Sequence, residues 1–382
     1  MEKNHHETPL RVAIIGCGRV AKKHMKAVLH EENGLEICAL VDSDKKAALA
    51  LLEETVLSDR RNSDLGKKVK LFPSTEAMLA VDPPDIAAVT LPSGLHYATA
   101  LPALEAGCHI IMEKPMTLRI SEARELFEFS ESKSLKIAMG HIYRYFPLMQ
   151  TLHNEIKEGA WGKISHGSVI VRWGHDQAYY DQAAWRGTWK LDGGALMNQS
   201  IHALDLMCYL MNTTPSSAFA HLAKRYRNME AEDVGGVVFG MEDGSLCLLE
   251  GTTATGPNDH EASFFINAER GNIRIGLRNG IPFFDIRDIK GKNIRGKYLR
   301  RELKRIGIKG FLETRNPHIQ IYRNLRDSII SGDTPIADAY SGYISVMSML
   351  SAYRSAKEGV RINIPGDRDF SLHEMTGFFP HL

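Results

Sequence analysis

The sequence predicts a mixed α/β chain of two unequal folds: a doubly wound parallel sheet first, then an α+β domain on a large, mainly antiparallel open sheet. Three observations carry that reading. Short apolar runs alternate strictly with helix-like segments over the first 140 residues, which implies a parallel sheet with helices on both faces. From about residue 216 to 288, strand-like runs follow one another across turn signals alone, the pattern of an antiparallel sheet. Between these regions the alternation stops, near residues 141–147.

Leu10 to Ile15 is an apolar, β-branched run ending at Gly16, and residues 19–31 carry helical periodicity. Leu35 to Val41 is the second strand, closed by Asp42, with residues 44–55 as its helix. Val69 to Phe72 is a brief third strand, after which Ser74-Thr75-Glu76 opens a helix. Ile86 to Thr90, His109 to Met112 and Leu135 to Gly140 complete the strands, with helices over 95–106 and 121–133. Right-handed crossovers turn this order into a Rossmann-type domain. The second half predicts a helix over 148–158, a long strand over 163–173 and an aromatic, aperiodic stretch over 174–192. Leu196 to Met211 is apolar and helical, and helices near 316–331 and 338–357 close the chain. The expected domains are 1–143, for dinucleotide binding, and 144–382, for substrate binding and oligomerisation, with the last helices packing back on the first. An open sheet needs one face covered, by helices or by another subunit, so a homodimer or homotetramer is expected.

Length and charge agree. A chain of 382 residues suits two domains. Its 47 basic and 46 acidic residues give a formal charge of +1, which argues against a dedicated nucleic-acid binder. No run reaches about 18 uninterrupted apolar residues, so no membrane span is expected. The N-terminal segment lacks a basic stretch followed by an apolar one, and the five scattered cysteines form no C-x-x-C. Reduced thiols and a cytoplasmic location are the expectation. His5 and His6 have no ligand cluster near them in sequence, and no metal is expected.

Gly16-Cys17-Gly18-Arg19-Val20-Ala21 matches G-x-G-x-x-G/A. Gly16 suits a tight turn, Gly18 lets backbone approach a pyrophosphate, and Ala21 packs the helix on its strand. Alone, such a hexapeptide also fits a purely structural turn. Its place between strand and helix, with Asp42 ending the second strand, points to a dinucleotide. A carboxylate there accepts hydrogen bonds from the ribose hydroxyls and repels a 2′-phosphate, predicting NAD over NADP. Lys45 and Lys46 lie close by in sequence.

The fifth strand runs into Glu113-Lys114-Pro115. A lysine at the carboxyl end of a parallel strand faces the crevice where ligands bind in such sheets, and Pro115 permits a cis bond. With this segment the chain resembles the family of glucose–fructose oxidoreductase, myo-inositol dehydrogenase and the rhizopine-catabolism proteins (Gfo/Idh/MocA). The matching residues run nearly end to end: Gly16-Cys17-Gly18, Thr90-Leu91-Pro92-Ser93 with His96, Ala106-Gly107-Cys108-His109 through Pro115, Arg144 with Pro147, Gly193-Gly194 through His202 to Asp205, Asp327 to Gly332, and Ser355 to Gly359.

The resemblance implies an active site where the two folds meet, with Lys114 contacting substrate and nicotinamide and His202 as acid/base. Many cyclitol-oxidising relatives carry aspartate four residues before that histidine. Here it is Asn198, which cannot accept a proton and would instead orient a hydroxyl. Asn198 and His202 are i and i+4, one face of an α-helix, and Gly193-Gly194 leaves its N-terminus room to meet a ligand. Asp205 either polarises His202 or is structural. Asn198 with Gln199, in Leu196 to His202, is most similar to the branch acting on nucleotide-linked amino sugars.

Three of the four tryptophans (Trp173, Trp185 and Trp189) fall between Arg172 and Lys190, beside His175, Tyr179, Tyr180 and Arg186. Such residues stack on sugar rings and pair with anions, and they equally suit a packed subunit interface. The candidate cofactor contacts are Gly16, Gly18, Arg19, Val20, Asp42, Leu91, Pro92, His96, Glu113 and Lys114. The candidate substrate contacts are Arg144, Arg172, Tyr180, Trp185, Arg186 and Gln199. Residues 285–310 carry ten basic against three acidic side chains. That segment reads as a solvated connection or as a lid attracting an anionic substrate.

The expected activity is NAD-dependent oxidation of a secondary hydroxyl of a sugar, sugar nucleotide or cyclitol, or reduction of the matching ketone. Two other readings stay open: a glycosidase using NAD for transient oxidation, and a non-catalytic NAD-binding regulator.

Overall fold

The computed structural model describes residues 8–30, 33–58, 64–314 and 316–379, without the side chains at 308, 309 and 311–313. His5 and His6 and the side chain of Lys309 lie outside that description. The chain forms two compact units. The first takes the chain to Met116, then Glu125–Ile142 and Glu313–Tyr340. The second comprises Thr117–Arg124, Tyr143–Leu312 and Ser341–Leu382. Residues 117–124 and 313–340 therefore depart from the expected ranges 1–143 and 144–382. The physical reason for the second departure is an apolar helix face. In the helix His318–Ser331, Ile321, Tyr322 and Leu325 are buried, and Tyr322 and His318 pack their rings on His24 of the helix Ala21–Val28.

Among the described residues the first unit holds six strands: β1 (Leu10–Ile15), β2 (Leu35–Val41), β3 (Lys70–Phe72), β4 (Ile86–Val89), β5 (His109–Met112) and β6 (Ile137–Met139). Their order is β3-β2-β1-β4-β5-β6 and every pairing is parallel. The central strands are buried on both faces, as the unbroken apolar runs require. The order reverses at β1, between β2 and β4, which opens a crevice at its carboxyl end. Ser74 caps the helix Thr75–Leu79 by accepting from the Ala77 N–H at 3.2 Å.

The second unit holds β7 (Ile164–Trp173), β8 (Pro215–Ala223), β9 (Val234–Met241), β10 (Leu246–Thr252), β11 (His260–Ala268), β12 (Gly271–Arg278), β13 (Ile281–Asp288) and β14 (Ile362–Asn363). The order is β13-β12-β11-β7-β10-β9-β8-β14, with only β7 and β10 parallel. One face receives the helical segment Ala195–Met211. Glycines make that close approach possible. A Cβ at Gly235 or Gly251, partners across β9 and β10, would stand 2.7 Å from Leu196, and one at Gly167 2.4 Å from Met207. On the opposite face, Phe219, Val238 and Leu248 form an exposed apolar row across β8, β9 and β10.

The basic segment is more ordered than a solvated connection. After β13 and a tight turn it forms the helix Arg295–Glu313, kinked at Gly307 with φ 63°. Anchors to the helix Pro147–Lys157 explain this. Tyr298 and Arg301 both donate to the Glu155 carboxylate, at 2.6 and 2.8 Å, and Thr151 donates to Glu302 at 2.7 Å.

Candidate active site

The Gly-rich turn is built from below. Gly16 has φ +96°, and a Cβ there would stand 2.9 Å from Leu91 and 3.0 Å from the Thr90 carbonyl. Gly18 is the opposite case: it is exposed, and a Cβ would meet nothing within 4 Å. Gly16 is thus required by the fold, whereas Gly18 leaves a cradle open at the start of a helix, which fits a pyrophosphate. Asp42 Oδ2 accepts from the Cys17 N–H and its Oδ1 from the Asp44 N–H, both at 2.8 Å. Asp42 therefore also stiffens the turn. Arg19 is exposed and Val20 half-buried beside it.

The loop after β4 leans on the same turn. Thr90 donates to the Gly16 carbonyl at 2.5 Å. His96 is buried, with one ring nitrogen 2.7 Å from the Pro115 carbonyl oxygen and the other 2.9 Å from that of Leu91. Both nitrogens thus face main chain, and His96 ties the Leu91-Pro92 loop to the segment that holds the cis Lys114-Pro115 bond. Burial lowers its pKa, against the pull of those carbonyls.

Glu113 turns inward. Its Oε1 lies 3.0 Å from His24 Nε2 and 3.3 Å from His318 Nε2. Tyr322 Oη sits 2.9 Å from His24 Nδ1, and Asn316 Oδ1 3.1 Å from His318 Nδ1. Burial opposes ionisation of Glu113, but the two imidazole hydrogen bonds outweigh it and hold the carboxyl well below its ordinary range. The candidate ligand atoms of His24, Glu113 and His318 lie within 4.8 Å of one another. Each is already matched by a hydrogen bond, so the cluster reads as a complete network tying β5 to two helices. Lys114 follows, half-buried, at the carboxyl end of β5. The Glu113 side chain is thus engaged by His24 and His318, directly before Lys114.

In the second unit, Ala195–Ser200 is a π-helical turn leading into the α-helix Ile201–Met211. Asn198 thus lies in the wider π-turn and His202 in the α-helix that follows it. Asn198 donates to Asp192, Gln199 Nε2 lies 3.2 Å from His175 Nε2, and the His202 ring lies 5.6 Å from that of Tyr143. The space beside the glycine pair is filled by protein. A Cβ at Gly194 would stand 2.2 Å from the Glu232 carbonyl oxygen, and one at Gly193 2.7 Å from Met197. The pair serves this packing rather than ligand access.

Several substrate candidates are engaged elsewhere. Arg144 grips Asp205 through Nε and Nη2, at 2.8 and 2.7 Å, and lies over the Tyr209 ring. Its bidentate fit to a buried carboxylate makes it a structural tie, and Asp205 an anchor for the helix. Arg172 lies on the sheet between Glu250, at 2.7 Å, and Glu261, at 3.5 Å. Buried Tyr180 donates to Thr253 at 2.9 Å. Trp189 is core, packed on Tyr353 and Phe379, and Trp173 stacks on His260. What remains gathered is an aromatic-cationic set. Arg186 lies 4.1 Å above the Tyr179 ring and 4.8 Å above Trp185, and Tyr179 stacks on His175, the partner of Gln199.

Sequence reasoning missed Glu232, Asp192 and Tyr353, which hold the π-turn, and His24 and His318, which hold Glu113. Glu232 left a trace only as one of two acidic residues, with Asp233, ahead of a strand-like run.

Residues 10–141 match the model of an oxidoreductase family with an NAD-binding Rossmann fold, and residues 149–274 that of the GFO/IDH/MocA C-terminal domain. Over 94% of its length the chain is 26% identical to D-glucoside 3-dehydrogenase of Escherichia coli, covering 98% of that protein. Two solved relatives are WlbA dehydrogenases in complex with NADH and UDP-GlcNAcA. The one from Bordetella pertussis is 28% identical, with a TM-score of 0.78 over 94% of this chain and 100% of that one. The one from Chromobacterium violaceum is 29% identical, with a TM-score of 0.79 over 95% and 98%. The two family models together span more than half of the sequence, and the chain belongs to the Gfo/Idh/MocA family of oxidoreductases.

Proposed function

We propose that the chain is an NAD-dependent dehydrogenase oxidising a secondary hydroxyl of a pyranoside, free or nucleotide-linked, or reducing the matching ketone. The observation carrying this reading is the carboxyl edge of the parallel sheet. There the open cradle at Gly18, the Leu91-Pro92 loop and Lys114 follow β1, β4 and β5. The likeness to a D-glucoside 3-dehydrogenase and to UDP-GlcNAcA-bound dehydrogenases favours a sugar over a cyclitol.

NAD, when bound, supplies the hydride acceptor at nicotinamide C4. The cradle at Gly18 holds the pyrophosphate and Asp42 the ribose hydroxyls, favouring NAD over NADP. His202 takes the hydroxyl proton as the carbon loses hydride and returns it in the reverse direction. The Lys114 ammonium stabilises the developing alkoxide. Asn198, oriented by Asp192, and the set of Gln199, Trp185 and Arg186 position the sugar and its anionic substituent. Lys114→Ala and His202→Ala are each expected to lower turnover about 10²- to 10⁴-fold with NAD affinity retained in His202→Ala. Near-wild-type turnover in either variant would falsify the assignment.

A further inference from the structure

The π-turn carrying Asn198 begins with N–H groups that no preceding turn satisfies, and Glu232 and Tyr353 together answer them. The Ala195 N–H donates to the Glu232 main-chain oxygen at 3.0 Å and the Leu196 N–H to Glu232 Oε1 at 2.9 Å. The Met197 N–H donates to Tyr353 Oη at 3.0 Å, and that hydroxyl donates to Glu232 Oε1 at 2.6 Å. Glu232 is fully buried, and its Oε2 has no hydrogen-bond partner among the described residues. The lack of a side chain at Gly194 is what admits it: a Cβ there would stand 2.3 Å from that Oε2.

We propose that Glu232 and Tyr353 form an internal cap that positions Asn198 and His202, and that one proton on Glu232 sets the strength of this cap. The proposal rests on the reading of Asn198 and His202 given above. Ionised, Glu232 accepts charge-assisted hydrogen bonds at a helix N-terminus, where negative charge is favoured. Protonated, it escapes the cost of a buried charge. Burial pushes its pKa up to about 7, against the Tyr353 and Leu196 hydrogen bonds, with Asp233 beside it adding to the rise. Tyr353 faces it from the helix Ala339–Glu358 and Tyr180 senses its charge from the helix Gln177–Asp181. Both protonation states are therefore populated near neutrality, and the tighter cap is the ionised one.

Glu232→Gln keeps an acceptor but cannot ionise, and Glu232→Ala strands two donors. Both are compared with wild type in thermal unfolding and in saturated turnover from about pH 5 to about pH 8. The Gln variant is expected to gain several degrees of Tm on wild type as pH rises, and to lose a wild-type rise in kcat through about pH 7. The Ala variant is expected to lose at least about tenfold in kcat with the KM for NAD unchanged, and Gln to restore most of it. Superimposable Tm profiles for Gln and wild type, or full kcat in the Ala variant, overturn the proposal. The unfolding arm needs no substrate and stands even if Ala fails to fold. Full turnover in His202→Ala instead overturns the catalytic assignment while leaving the cap intact.

Discussion

Two glycines two residues apart divide fold from function. A side chain at Gly16 collides with Leu91 and the Thr90 carbonyl at φ +96°. Gly16→Ala is therefore expected to cost about 1–3 kcal/mol of stability. Gly18 faces open space, so Gly18→Ala is expected to leave unfolding stability within about 0.5 kcal/mol of wild type. It should nonetheless weaken NAD binding at least about tenfold, because the added methyl stands where the pyrophosphate must approach. Unfolding and calorimetric titration of both variants check this. Equal effects of both on stability, or unaltered NAD affinity in Gly18→Ala, contradict the cradle. Motif residues were legible because strand, turn and helix each impose a local demand. The side-chain partners of Glu113 and His96, namely His24, His318 and main-chain carbonyls of other segments, were not legible, because the fold alone brings them together.

At the level of elements, the alternating first half was readable almost strand by strand, since parallel strands buried on both faces are continuous apolar runs. The helix from Leu196 was expected, but its π-turn was not. That turn depends on Glu232 and Tyr353, distant in sequence, and on glycine notches in β9 and β10. Arg144 and Arg172 were read as substrate contacts because charge invites that reading, while the carboxylates that pair with them come from other elements. The raised pKa of Glu232 has a stability sign. Below its unfolded value, near 4.5, both states are protonated. Between that value and about 7 the unfolded chain alone releases the proton, so stability falls by about 3 kcal/mol and then levels. Differential unfolding of wild type and Glu232→Gln isolates this slope.

For the molecule as a whole, the second sheet leaves Phe219, Val238 and Leu248 exposed in one row, opposite the face that buries the helix. Exposed apolar patches of this kind mark association, and a homo-oligomer through this face is our expectation. Phe219→Glu should shift wild-type oligomers toward monomer in sedimentation velocity, with kcat per chain still measurable. A wild-type monomer, or an unmoved distribution, contradicts it. The near-zero net charge hides a basic helix whose anchors on Glu155 fix part of it while Arg300 stays exposed. The central claim is redox chemistry on a sugar hydroxyl. Its most direct test is the absorbance of NADH on mixing the protein with NAD and a panel of glucosides, UDP-linked pyranosides and inositols. The prediction is NADH accumulation with a pyranoside and its loss in Lys114→Ala. NAD binding without NADH from any pyranoside would contradict it. Glycoside cleavage in its place would favour a transient-oxidation hydrolase.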